Sequence, residues 1–134
     1  MEHQDEASVV ITRYEDVPEA PVSKMTVDGD EGWTRVMISK EINGSPDLLV
    51  SVFRMAPNQF HPLHAHPNMG ELYFLLKGRV ELTVGDRTEW IEPGTAIYTP
   101  KDVPHCARTD DEGASILVVF PEGDWSKIEK RWVD

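Results

Sequence analysis

Residues 64–78 read HAHPNMGELYFLLKG, and the fold follows from where their side chains must point. His64 and His66 stand two apart. In an extended segment side chains alternate with period two, so both imidazoles lie on one face. Pro67, Asn68, Met69 and Gly70 then break the segment with turn-forming residues. Glu71 opens a second extended run, ELYFLLKG, which can bring its carboxylate to the same point. Further on, PGTAIYTPKDVPH (93–105) leaves a Pro-Gly turn and ends on His105, an imidazole from a distant strand. Three imidazoles and a carboxylate converging inside a small β domain make a mononuclear site for one divalent transition metal ion. Fe, Mn, Ni and Zn all accept that donor set. The expected metal ligands are therefore His64, His66, Glu71 and His105.

Outward from this stretch the chain reads as short strands parted by Gly, Pro and Asp turns. HPLHAH, GELYFLLKG, RVELTVG, TEWIEPG, AIYTP, HCART and ASILVVF follow one another in that way. Upstream, WTRVMISKEI (33–42) and DLLVSVFRMA (47–56) flank NGSP, a hairpin signal. A further short strand is expected near Val22 to Val27, and SVVITR (8–13) reads as a possible edge strand. At the far end GDWSKIEKRW offers Asp124 as a cap for one or two helical turns. Many short strands at regular spacing indicate an antiparallel all-β domain. The expected organisation is an N-terminal arm over 1–21 and a single β domain over 22–134.

Taken in order, these residues resemble the two motifs of the cupin superfamily. The first is HxH, four residues, Glu71, six residues, Gly78; the second is Gly94, five residues, Pro100, four residues, His105. Three positions depart from the pattern: Asn58 and Asp102 stand where the family has glycine, and Thr109 where it has asparagine. None is a ligand position. Asn and Asp are the non-glycine residues that best tolerate left-handed backbone, so the turns should survive. The resemblance implies a double-stranded β-helix, or jelly-roll barrel, with a short C-terminal helical segment. It also implies an octahedral ion with two positions open to water, substrate or dioxygen, the mark of a catalytic metal.

Tyr73 lies two residues after Glu71 and faces the same interior. The same Glu-x-Tyr order occurs in short cupins similar to dimethylsulfoniopropionate lyases, in which the equivalent tyrosine is the proposed base. The ending LVVFPEGDWSKIE (117–129) is similar to theirs as well. The resemblance thus points to a small carboxylate-bearing substrate and to metal-assisted proton abstraction by Tyr73, in a lyase or isomerase. An Fe(II) dioxygenase and a non-catalytic metal or small-ligand binding cupin are the alternatives. Tyr98, Phe60 and Met69 are the expected substrate contacts, and Trp90 and Phe120 possible wall residues. His61 falls at an odd offset from His64, on the opposite face of a regular strand, unless Pro62 introduces a bulge. Arg54, Lys101 and Arg108 read as solvated charges or carboxylate clamps.

Net charge is −11, which argues against nucleic acid and anionic membrane surfaces as partners, since both need clustered Lys and Arg. A divalent ion held by three neutral imidazoles and one carboxylate is still locally positive and suits an anionic ligand. No apolar run approaches the ~20 residues of a membrane span. The acidic start MEHQDEAS lacks the order of a signal peptide, and the single cysteine, Cys106, suits a reducing compartment, so the expected location is cytoplasmic. Leu72 and Phe74 point outward opposite Glu71 and Tyr73. Their need for cover leads us to expect a homodimer.

Overall fold

The computed structural model describes residues 8–22 and 30–133. Eleven strands form: β1 (Ala20–Pro21), β2 (Trp33–Ile38), β3 (Leu49–Met55), β4 (Phe60–Ala65), β5 (Glu71–Gly78), β6 (Val80–Val84), β7 (Arg87–Ile91), β8 (Ala96–Thr99), β9 (His105–Arg108), β10 (Ala114–Phe120) and β11 (Arg131–Trp132). They build two antiparallel sheets, β1-β2-β3-β10-β5-β8 and β11-β4-β9-β6-β7. The sheets pack face to face as a jelly roll, and strand pairing does not close them into one barrel. β10, ASILVVF, sits inside the larger sheet, and its residues alternate between buried and half-buried. Leu49, Met55, Leu75, Val80 and Ile116 are almost wholly enclosed between the layers.

The same alternation positions the site. In β5, Glu71, Tyr73 and Leu75 are buried, while Leu72 and Leu76 are exposed. β4 departs from it: the β4–β9 register shifts between His61 and His64, so both histidines turn inward although they stand an odd three positions apart. Proline cannot donate to the ladder, and Pro62 lies inside this irregularity. The expectation that His61 faces away is overturned by that bulge.

Three other expectations change. Residues 8–13 form no strand; Val9 and Ile11 are 87% and 93% exposed, without a sheet edge to pair with. β2 stops at Ile38, and residues 40–43 make one helical turn, α1 (Lys40–Asn43). Ser39 Oγ accepts from Ile42 N–H at 3.0 Å, and Gly44 closes the turn at φ 78°, so the hairpin is joined by a capped helical turn. Near the C-terminus Asp124 does cap a turn, but it is a single 3-10 turn over Trp125–Lys127, and Arg131 and Trp132 return to strand. Of the strand expected near Val22 to Val27, residues 23–29 lie outside the described ones.

The departures from the motif behave as the residue types require. Asn58 and Asp102 have φ of 58° and 64°. Thr109 is buried, and its hydroxyl donates to Ala56 O at 2.6 Å and accepts from Gln59 N–H at 3.0 Å, tying the β3–β4 turn. Two motif glycines differ in what they exclude. A Cβ on Gly78 (φ 83°) would meet Gly113 O at 1.9 Å, whereas Gly94 (φ 86°) has open space around it. Gly94→Ala should cost only the left-handed penalty of ~1 kcal/mol, and Gly78→Ala about 1–3 kcal/mol more, because backbone must move. Urea midpoints of the two variants measure the difference.

Candidate metal centre

His64 stands opposite His105 in the β4–β9 register, His66 follows the end of β4, and Glu71 begins β5 in the other sheet. The cluster therefore spans the gap between the layers. All four residues are buried, and their ligand atoms lie within 4.8 Å of one another. Each imidazole is aimed by a backbone carbonyl. Nδ1 of His64 donates to Pro62 O at 2.7 Å, that of His66 to Glu129 O at 2.9 Å, and that of His105 to Val103 O at 3.0 Å. A carbonyl can only accept, so the proton sits on Nδ1 and each Nε2 keeps a lone pair.

Among the described residues, the lone pair of His105 meets no donor. Glu71 Oε1 lies 2.9 Å from His105 Nε2 and 3.6 Å from His66 Nε2. Both Glu71 Oε1 and His105 Nε2 are buried without a hydrogen-bond partner. Two acceptors in van der Waals contact repel, and burial without a partner costs about 1–3 kcal/mol for each group. A shared cation reverses the sign. Ligands held ~2.1 Å from one ion at a right angle are themselves ~3.0 Å apart, close to the separation seen. The residues present thus fit a metal ion, and no thiolate restricts which one.

Burial pushes the His64 pKa far down, helped by the neighbouring His61 and His105, and burial also lowers that of His66. Both rings are therefore held neutral, the form that ligates. Burial raises the Tyr73 hydroxyl well above the usual phenol value, and the carboxylates of Glu71 and Asp30 add to the effect. In the protein alone Tyr73 is a neutral phenol. Its ring stands edge-on to His105, with centroids 6.1 Å apart.

A cavity of about 60 Å³ adjoins the cluster, and Tyr73, His61, Phe120 and Lys130 line it. Tyr98 is 66% exposed on the outer face of β8, and Phe60 is 45% exposed. Met69 packs against the core. None of these three expected substrate contacts lines the cavity; Phe120 does, edge-on to His66 at 4.9 Å. Trp90 lies beneath the guanidinium groups of Arg79 and Arg108 instead. Arg54 is paired with Glu19 and Arg108 with Glu81, so neither serves the cavity. His61, expected to face away, meets His64 edge-to-face with centroids 4.7 Å apart and bonds Asp30 Oδ1 at 2.8 Å through Nδ1. Pro62 was the signal for it. Nothing in the C-terminal residues marks Lys130.

The lowered histidine pKa values carry a sign. Below the unfolded value of ~6.5 the unfolded chain takes up protons that His64 and His66 refuse, so acid favours unfolding. Stripped of metal by a chelator, the protein should lose up to ~1.4 kcal/mol per pH unit for each of these histidines as pH falls below ~6.5. Denaturation midpoints between pH 7 and pH 5, at constant ionic strength, measure this.

Comparison with known proteins agrees with the geometry. The family model described as "Cupin domain" matches residues 51–120. Oxalate decarboxylase OxdC of Bacillus subtilis is 27% identical over 101 residues, which is 72% of this chain and 26% of that protein. The chain spans less than half of the curated relatives it matches, 26% and 48%. Among solved structures, polyketide cyclase RemF from Streptomyces resistomycificus superposes with a TM-score of 0.78 at 25% identity, covering 95% of this chain and 87% of that one. KdgF from Halomonas sp. gives 0.70 at 14% identity, covering 87% and 97%. The matched stretch runs from β3, before the histidine pair, to the end of β10 behind Glu71, and the chain belongs to the cupin family.

Proposed function

We propose that the protein is a mononuclear metal-dependent enzyme that acts on a small carboxylate-bearing molecule by metal-assisted proton abstraction, as a lyase or isomerase. The observation that carries this reading is the unsatisfied pair of Glu71 Oε1 and His105 Nε2, 2.9 Å apart in a buried site that opens onto a cavity. His64, His66, Glu71 and His105 would hold the ion, which supplies Lewis acidity toward a bound carboxylate and stabilises negative charge beside it. Four protein ligands leave positions free on a six-coordinate ion, which favours catalysis over a structural role.

Tyr73 is the residue we assign to the proton. It shares the inward face of β5 with Glu71 and lines the cavity. Two of the causes that raise its pKa are the negative charges of Glu71 and Asp30. A divalent ion held by Glu71 would offset the first and favour the phenolate, the form of Tyr73 that can accept a proton. The names of two relatives, an oxalate decarboxylase and a polyketide cyclase, denote reactions without oxygen insertion, which supports redox-neutral chemistry here. A space of about 60 Å³ supports a substrate of few heavy atoms. We place the protein in the cytoplasm on the strength of its one free thiol, Cys106.

Elemental analysis of the purified protein, followed by anaerobic turnover of short carboxylic acids with that metal restored, tests the assignment. His64→Ala or His66→Ala should strip most of the metal and leave the fold intact. Tyr73→Phe should keep metal and lose on the order of 10²-fold in turnover, the scale of a missing general base. Iron with oxygen consumption would replace this reading with a dioxygenase. A loaded site that turns over no small acid would replace it with a binding module.

We infer further that the assembly is a homodimer through the outer face of β5 and β8. Leu72, Leu76 and Tyr98 are 36%, 46% and 66% exposed there, and β8 is an edge strand. The N-terminal residues cover a different place, since Tyr14 and Glu19 engage Arg35 and Arg54 on β2 and β3. Light scattering at micromolar concentration should give twice the chain mass, and Leu72→Glu should halve it. A wild-type monomer would overturn the assignment.

A further inference from the structure

We propose that Lys130 is the anion anchor of the metal cavity: its ammonium group binds a carboxylate of the same small ligand that the four-residue cluster holds through a metal. This rests on the carboxylate reading above and narrows the substrate class to short acids with two acceptor groups, such as small dicarboxylates.

Placement is the first ground. Lys130 lines the cavity with His64, His66, Glu71 and Tyr73. Its backbone is fixed on both sides. Glu129 O accepts from His66 Nδ1 at 2.9 Å, and Asn68 holds Glu129 N–H at 3.1 Å and Lys127 O at 2.8 Å. Beyond it, Arg131 and Trp132 pair with Ala65 and His64 in β4, and Arg131 bridges to Asp102 at 2.8 Å. The peptide that carries the lysine is thus bolted to the strand that carries two ligands.

The second ground is what the ammonium lacks. Among the described residues it has no hydrogen-bond acceptor and no ion-pair partner; its contact is the face of Trp132, 4.5 Å from the ring centroid. The acids nearby are committed, Asp30 to His61 and Glu71 to the ligand cluster. Burial lowers the Lys130 pKa to about 8, against the pull of Asp30 and Glu71, and an anion bound beside the ammonium would favour its charged form. A half-buried cation near a divalent ion would be repelled by it. An anion lying between the two converts the repulsion into two attractions. The space of about 60 Å³ limits that anion to a small acid. Surface lysines satisfy their ammonium with water; this one rests its ammonium on the face of Trp132 at the wall of the cavity.

Calorimetric titration of oxalate, and separately of neutral imidazole, into cobalt-loaded protein tests the anchor, with the cobalt absorption band reporting coordination. Lys130→Met keeps the stem and removes the charge. It should retain cobalt content and thermal midpoint, bind imidazole as the parent does, and weaken oxalate about ten- to a hundred-fold, the range for one charge-assisted hydrogen bond. Lys130→Arg should recover part of the loss. Equal oxalate affinity in parent and Lys130→Met would overturn the anchor and leave the carboxylate reading standing. Equal loss of imidazole would also overturn it, by showing a damaged metal site. A cobalt-loaded parent that binds imidazole but no oxalate would overturn both.

Discussion

Glu71 and His105 come from different sheets, and holding Oε1 and Nε2 2.9 Å apart with no proton between them requires both layers to be rigid. The structure supplies that rigidity from outside the pair. Register with β4 fixes β9, the Val103 carbonyl fixes the His105 ring, and β10 and β8 pin β5 from either side. A relaxed fold would let one side chain rotate and find a donor. The backbone hydrogen bond of His105 and the burial of Glu71 hold the two groups together, an arrangement that suits a cation in the gap.

How much of this could be read from residues alone depended on whether local rules held. His64, His66, Glu71 and Tyr73 were legible because period-two alternation is obeyed where β4 ends and along β5. The turns at Asn58 and Asp102 were legible because their side chains tolerate positive φ, and both adopt it. His61 was misplaced because alternation fails across Pro62, and no pattern states which way a bulge turns its neighbours. SVVITR has strand composition, but strands are made by partners and no edge accepts it. Tyr98 and Phe60 were assigned to the pocket by proximity to motif residues, whereas strand parity puts them outside. Lys130 was invisible because its role depends on β11, a two-residue strand whose pairing with β4 leaves no periodic trace.

Charge follows the same division between local and global. The chain carries −11 overall, yet the groups facing the cavity are the neutral imidazoles of His64 and His66, His61 paired with Asp30, one lysine and one glutamate. Net charge governs solubility and distant partners, while the few groups that face one another across a low-dielectric gap govern which ligand enters. An acidic protein with a locally cationic pocket is consistent with both.

The β4–β9 register that sets His64 against His105 also has a kinetic meaning. His64, His66 and Glu71 are near neighbours in the chain, whereas His105 joins them only through β9. A metal ion at this site would meet its full donor set only once that long-range pairing has formed, and its binding free energy would accrue to folding. Ion selection is then an equilibrium property of a finished cage, and the persistence of the folded state rises with the free concentration of whichever ion the cell supplies.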